Sequence, residues 1–109
     1  MRYAARVDNN HSEIVKAFRG LGWSVADTSR AGAGFPDLVI GKAGTNLLIE
    51  IKNGDKPWSA QKLTNHQQDF HKAWRGPLEI VRNVADVVAV DKRWRFIAYN
   101  QRRQELDGL

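Results

Sequence analysis

Cysteine is absent from this 109-residue chain. That excludes disulfide scaffolds, thiolate zinc sites and cysteine nucleophiles together, and it suits a reducing compartment. No apolar run approaches the roughly 20 residues that a membrane span needs. Residues 1–6, Met1-Arg2-Tyr3-Ala4-Ala5-Arg6, have no apolar signal-peptide core behind them. The expectation is a soluble, cytoplasmic protein with no membrane partner. Proline is scarce, at three residues, and there is no internal repeat or low-complexity linker. A chain of this length builds a single core, so residues 1–109 are read as one domain.

Acids are the scarcer charge: 12 Asp+Glu stand against 17 Lys+Arg, a formal net charge of +5. A small basic domain suits a polyanionic partner, nucleic acid most simply. The excess is uneven. Residues 92–103 hold Lys92, Arg93, Arg95, Arg102 and Arg103 with no acid among them.

Ile14, Phe18 and Leu21 recur at helical spacing, after Asn9 or Asn10 as a cap and before Gly20 and Gly22 as a stop. Residues 23–27 alternate as a short strand, and residues 28–34 read as a polar loop. Residues 36–41 and 46–52 are the two clearest strands, and Lys42-Ala43-Gly44-Thr45 between them reads as a hairpin turn. Residues 63–74 read as a second helix, capped by Thr64 and ended by Gly76-Pro77, with Leu63, Gln67, Phe70 and Trp74 on one side. A strand over 78–82 and the apolar residues 84–90, read as a short helix capped by Asn83 with a strand as the alternative, complete the core. Trp94, Phe96, Ile97 and Tyr99 imply that part of the tail packs on something. The order, α-β-β-β-α-β-α, predicts an α/β fold: a small mixed sheet with the hairpin at its centre, flanked by helices.

Three acids are awkwardly placed. With an even-numbered turn, the position numbers of facing hairpin residues sum to 87, which sets Asp37 opposite Glu50. Opposed side chains have Cβ atoms about 4.5–5.5 Å apart, where like charges destabilise a sheet. An odd-numbered turn leaves the two acids as diagonal neighbours. Lys52 lies two residues beyond Glu50 and projects from the same face, while Leu47, Ile49 and Ile51 line the other. Carboxylates forced together inside a fold need a shared proton or a bound divalent cation. A hard cation such as Mg2+ suits oxygen ligands. The alternative is an exposed ladder in which Lys52 pairs with Glu50 or Asp37 and nothing binds. Glu13 borders the buried face of the first helix as a third acid, although Asn10-His11-Ser12-Glu13 also has capping-box spacing. Gln67, on the apolar side of the second helix, either satisfies backbone groups or faces a site.

Pro36-Asp37, then twelve intervening residues, then Glu50-Ile51-Lys52, resembles the PD-(D/E)XK nuclease signature. The surrounding residues are similar to the stand-alone VRR-NUC branch of that superfamily: Asp8-x-Asn10-x-x-Glu13-Ile14-Val15, Asp27-Thr28-Ser29, Gly34-Phe35-Pro36-Asp37-Leu38, Ile49-Glu50-Ile51-Lys52 and Leu63-Thr64-x-x-Gln67-x-x-Phe70-His71, with Trp74, Gly76-Pro77 and Val81-Arg82 continuing it. The resemblance spans about residues 8–90 and leaves the tail, 92–109, unmatched. It implies a restriction-endonuclease-like fold and Mg2+- or Mn2+-dependent hydrolysis of DNA phosphodiesters. Asp37, Glu50 and the Ile51 carbonyl would ligate the metal, and Lys52 would position or activate water. Glu13 would contribute from the first helix, and Gln67 matches a helix glutamine of related members. It further implies 5′-phosphate products, four-way-junction or other branched DNA as substrate, a homodimer, and a phage or bacterial setting.

Arg30, Lys56 and Lys62 are the basic residues nearest the acids in sequence and are the candidate DNA contacts, with a solvated face as the alternative. His11, His66 and His71 lack zinc-site spacing and read as polar or packing residues. Trp58, Trp74 and Trp94 read as core or dimer-interface residues. Two competing readings are a DNA-binding module of the same fold that does not cut, and a restriction-type nuclease, for which no separate target-recognition region is visible.

Overall fold

A computed structural model describes residues 9–108. Residues 1–6 and Asp8, used above, lie outside the described residues. The chain runs α1 (His11–Gly20), β1 (Ser24–Asp27), β2 (Leu38–Lys42), β3 (Thr45–Ile51), a single 3-10 turn (Trp58–Gln61), α2 (Asn65–Ala73), β4 (Leu78–Val81) and α3 (Val84–Asp107). The four strands form one sheet in the order β1-β2-β3-β4, antiparallel except for the parallel β3–β4 pair. The expected mixed α/β architecture, with the hairpin at its centre, is therefore what forms. No helix among the described residues is long and apolar enough to cross a membrane.

Local chemistry accounts for most of the boundaries. Gly22 adopts φ +94° after α1, and the Trp23 and Gly22 amides donate to the Phe18 and Arg19 carbonyls at 3.0 Å each. This is a Schellman stop, and the Phe18 and Trp23 rings meet edge-on across it. The β2–β3 loop is the two residues Ala43 (φ 51°) and Gly44 (φ +80°), a turn with both central residues left-handed. It sets the register Leu38↔Ile49, Ile40↔Leu47 and Lys42↔Thr45. Thr64 caps α2 in a reciprocal capping box with Gln67, and the Asn83 side chain accepts the Asp86 amide at the start of α3.

Alternation then sorts the side chains by face. Leu38, Ile40, Leu47, Ile49, Ile51 and Val81 point to one side, where Ile14 and Phe18 of α1 and Val87 and Val90 of α3 close the core. The parallel step from β3 to β4 requires a crossover. With α1 and α3 on the core side, α2 comes over the opposite face, the face of Glu50 and Lys52.

Two expectations for the later part of the chain are corrected. The last helix does not stop near residue 90 but runs 24 residues to Asp107, about 36 Å at 1.5 Å per residue. Only its first turns pack: Val87, Val90 and Asp91 are buried, and Trp94 is half-buried against the core. Part of the tail packs, as its aromatic content implied, through Trp94; Phe96 and Tyr99 stay 65% and 56% exposed. Trp58 and Trp74 are not core residues either, and Trp74 stacks on the half-buried Phe70 at 5.5 Å.

Candidate active site

The site lies at the C-terminal end of β3, where three elements converge. Glu50 is 1% exposed and Lys52 8%, so the reading as an exposed surface ladder does not hold. Gln67 of α2 sits between them. Lys52 Nζ donates to Gln67 Oε1 at 2.8 Å, and Gln67 Nε2 donates to Glu50 Oε2 at 3.3 Å. The same Gln67 Oε1 accepts the Thr64 amide at 2.9 Å. The two readings of Gln67, backbone satisfaction and a site role, are thus filled together: the capping box fixes the amide in the orientation that bridges base and acid.

Carried two positions past its last pair, Leu38↔Ile49, the register would set Asp37 opposite Glu50 and Pro36 opposite Ile51. The Pro36–Ile51 position belongs to the hydrogen-bonded type, in which facing residues exchange N–H and C=O groups. Proline has no N–H to give the Ile51 carbonyl. The ladder is rerouted here: the Ile51 amide donates to Asp37 Oδ2 at 2.8 Å, and the Pro36 carbonyl accepts the Thr28 hydroxyl at 2.7 Å. In an extended strand the N–H and C=O of one residue face the same neighbour, so the Ile51 carbonyl turns toward the Asp37 carboxylate. Asp37, Glu50 and this carbonyl are oxygen donors, the chemistry a hard divalent cation takes. On that ground the chain's own groups fit Mg2+ or Mn2+.

The remaining parts hold this end of the sheet in place. The Lys52 amide donates to the Val81 carbonyl at 2.9 Å. Asn10 Nδ2 donates to the carbonyls of Lys52 and Arg82 at 3.2 and 2.9 Å. Asn10 is therefore a stitch between α1, β3 and β4; its side chain makes no cap, and the capping-box reading of residues 10–13 fails. The start of α1 is brought to Lys52, but Glu13 is exposed. Among the described residues no three His, Asp or Glu side chains gather in metal-holding geometry.

His71 is the residue that sequence reasoning missed. Its Nε2 lies 3.6 Å from Glu50 Oε1. Burial, and then the charge of Lys52, hold its pKa below the ordinary histidine value, which favours the neutral ring. The signal was its spacing: four residues after Gln67, it shares that residue's helix face. The loop before β2 is seated against α2 as well. Phe35 packs edge-on against Phe70 at 5.2 Å. Gly34, at φ +78°, passes so close to α2 that a Cβ there would lie 2.3 Å from the His66 carbonyl oxygen. Arg30, Lys56 and Lys62 are all exposed on the segments that flank the site.

No protein-family model, no curated protein and no solved structure matches the chain. The site's chemistry is therefore argued from its own geometry and from the motif resemblance above.

Proposed function

We propose that this protein is a divalent-metal-dependent DNA endonuclease of the PD-(D/E)XK type, with a VRR-NUC-like, restriction-endonuclease-like fold. The observation that carries the reading is the buried Glu50–Gln67–Lys52 chain at the strand end that Asp37 faces. Burying an acid and a base at a sheet end is costly unless they are paired or bound, and such groups are concentrated at functional sites. Asp37, Glu50 and the Ile51 carbonyl would hold Mg2+ or Mn2+. A cation held there supplies positive charge against the negative charge that builds on the phosphate.

The chain's own residues would do the rest. Lys52, kept in place by Gln67, orients the attacking water with its ammonium. The water oxygen bonds to phosphorus, the bond to the 3′ oxygen breaks, and the products are a 5′-phosphate and a 3′-hydroxyl. Arg30, Lys56 and Lys62 would lie along the DNA backbone. Such phosphate contacts set position, not sequence preference, which favours selection by DNA shape: a four-way junction or other branched substrate, cut by a homodimer in a bacterial or phage-infected cytoplasm.

The test is a panel of duplex, flap, fork and four-way DNA incubated with Mg2+ and with Mn2+. Cutting of a branched substrate is expected, and Asp37→Asn, Glu50→Gln and Lys52→Ala should each abolish it while binding persists. Cleavage surviving Glu50→Gln would mean that the site lies elsewhere. Binding without cutting under either metal would favour the alternative, a non-catalytic DNA-binding module of the same fold. Sedimentation at micromolar concentration checks assembly, and an active monomer would remove the dimer from the reading.

A further inference from the structure

At the hairpin end of the sheet, on the face opposite Glu50, the structure has a second polar locality. A cavity of about 220 Å3 opens between Trp23, Lys42 and the α3 residues Trp94, Arg95, Tyr99 and Arg102. It runs on into a shallow groove along α3 that includes Lys92 and Phe96. From Thr45 to Glu50 is five residues of strand, about 17 Å, so this surface does not overlap the candidate active site.

Three features identify its ligand. The first is charge: α3 has no acid between Asp91 and Glu105. Among the described residues, no acidic side chain pairs with Lys92, Arg102 or Arg103. The second is aromatic exposure: Phe96 and Tyr99 lie one helical turn apart and are both more than half exposed. The third is rigidity at the foot of the strip. The buried Asp91 accepts Lys42 Nζ at 3.1 Å, Arg95 at 2.6 Å and the Trp23 indole N–H at 2.9 Å, which fixes one edge of Arg95. Aromatic faces beside a run of unpaired cations are what a single strand requires, because its bases are free to stack while its phosphates need neutralising. A duplex would use the cations and leave the rings idle.

We propose that the outer half of α3, with the pocket at its foot, binds single-stranded DNA, bases stacking on Tyr99 and Phe96 and phosphates lying on Lys92, Arg95 and Arg102. Binding is independent of hydrolysis at Glu50, so it is measured with a chelator present, where a failure of the nuclease reading has no effect. The probe is a fluorescent twenty-nucleotide oligothymidylate read by anisotropy, beside an abasic oligomer and a duplex of equal length. The Phe96→Ala/Tyr99→Ala variant should lose about tenfold or more in affinity for the oligothymidylate, since each stacked base contributes about that factor or more. Tyr99→Trp should retain binding. Arg102→Ala should lower the slope of log affinity against log salt by about 0.7, one phosphate's worth on a single strand. The abasic oligomer should bind the wild type at least tenfold more weakly than the oligothymidylate. Equal affinity of the double variant and the wild type, or equal affinity for abasic and base-bearing strands, would overturn the proposal. So would a wild-type dimer that the double variant converts to monomer with unchanged DNA affinity, because the strip would then be a face between copies of the chain. Both aromatic residues are exposed, so an unchanged melting temperature in the variant certifies that the comparison is between folded proteins.

Discussion

The fold buries two carboxylates to the same degree at opposite ends of its sheet. Asp91 and Glu50 are each 1% exposed. Asp91 is met by an ammonium, a guanidinium and an indole N–H at 2.6–3.1 Å. Burial pushes its pKa up, and the hydrogen bonds from Trp23, Lys42 and Arg95 outweigh that, so it stays below the ordinary carboxylate value. Glu50 is met by the Gln67 amide at 3.3 Å and by His71 at 3.6 Å, while Lys52 donates to Gln67. One anion is tied to cations that hold α3 to the hairpin and to α1's end. The other is met by groups of α2, Gln67 and His71, at the end of a sheet whose ladder has been rerouted around a proline. Equal burial can thus serve different ends, and the partners decide which.

Exchanging the acids for amides separates the two. Glu50→Gln should lower metal-dependent cleavage by about a thousandfold or more, the scale of losing charge stabilisation of several kcal/mol. Its stability should change by less than about 1 kcal/mol, since the isosteric amide keeps its neighbours and a buried charge is removed. Asp91→Asn should do the reverse. It should leave cleavage intact in folded protein and cost about 3 kcal/mol of stability, because Lys42 and Arg95 lose the anion they converge on. Denaturant midpoints and initial cleavage rates on the same two preparations measure both. A stability loss in Glu50→Gln that matched Asp91→Asn would erase the distinction.

Gly34→Ala probes the loop that seats α2. The new methyl would collide with the His66 carbonyl and would also occupy a left-handed backbone position. The expected cost is about 2–3 kcal/mol. Because α2 carries Gln67 and His71, cleavage should fall with it even at temperatures where the variant is fully folded. Cleavage unchanged in such a variant would show that the site does not need α2 where it is.

Smaller effects test the local readings. Ala43 holds φ 51° in the hairpin turn. Ala43→Asn should stabilise the fold by about 1 kcal/mol, because asparagine tolerates that region and Asn-Gly is the favoured pair for the turn. A lower melting temperature would contradict it. The least effect is expected from Asp27. Hydrogen bonds from the Ser29 hydroxyl, then from the Ser29 amide, and the His11 ring lower its pKa from 3.8 to about 2. A lowered folded pKa means stability present above pH 3.8 and lost as pH falls from 3.8 toward 2. Asp27 is half-exposed, so solvent screening holds the contribution to under about 1 kcal/mol. Ser29→Ala should flatten the stability profile between pH 4 and 2, and an unchanged profile would place the acid dependence elsewhere.

Much of this was legible before the fold was seen, wherever the cause is local. The hairpin register was legible as the even-numbered of two alternatives, and the two-residue turn is what forms. Thr64 and Asn83 announced their helices through cap chemistry, and Gly22 closed the first. The extension of α3 past residue 90 was legible in one respect only: no glycine or proline occurs from Leu78 to Asp107. Its charged outer half has no apolar stripe to signal a helix, and there intrinsic propensity takes the place of packing. Asn10 misled because a cap and a long-range stitch use the same side-chain type. Its partners, the carbonyls of Lys52 and Arg82, are 42 and 72 residues away.

The sequence by itself determined the periodicity of the strands, the place of the hairpin turn and the caps at Thr64 and Asn83, because those depend on neighbours a few residues apart. Tertiary structure alone decided that the face of Glu50 and Lys52 is covered, that one glutamine links acid and base while capping its helix, and that His71 joins them. Burial and partner choice depend on which distant element crosses a given face, and here the parallel step from β3 to β4 sends α2 over this one.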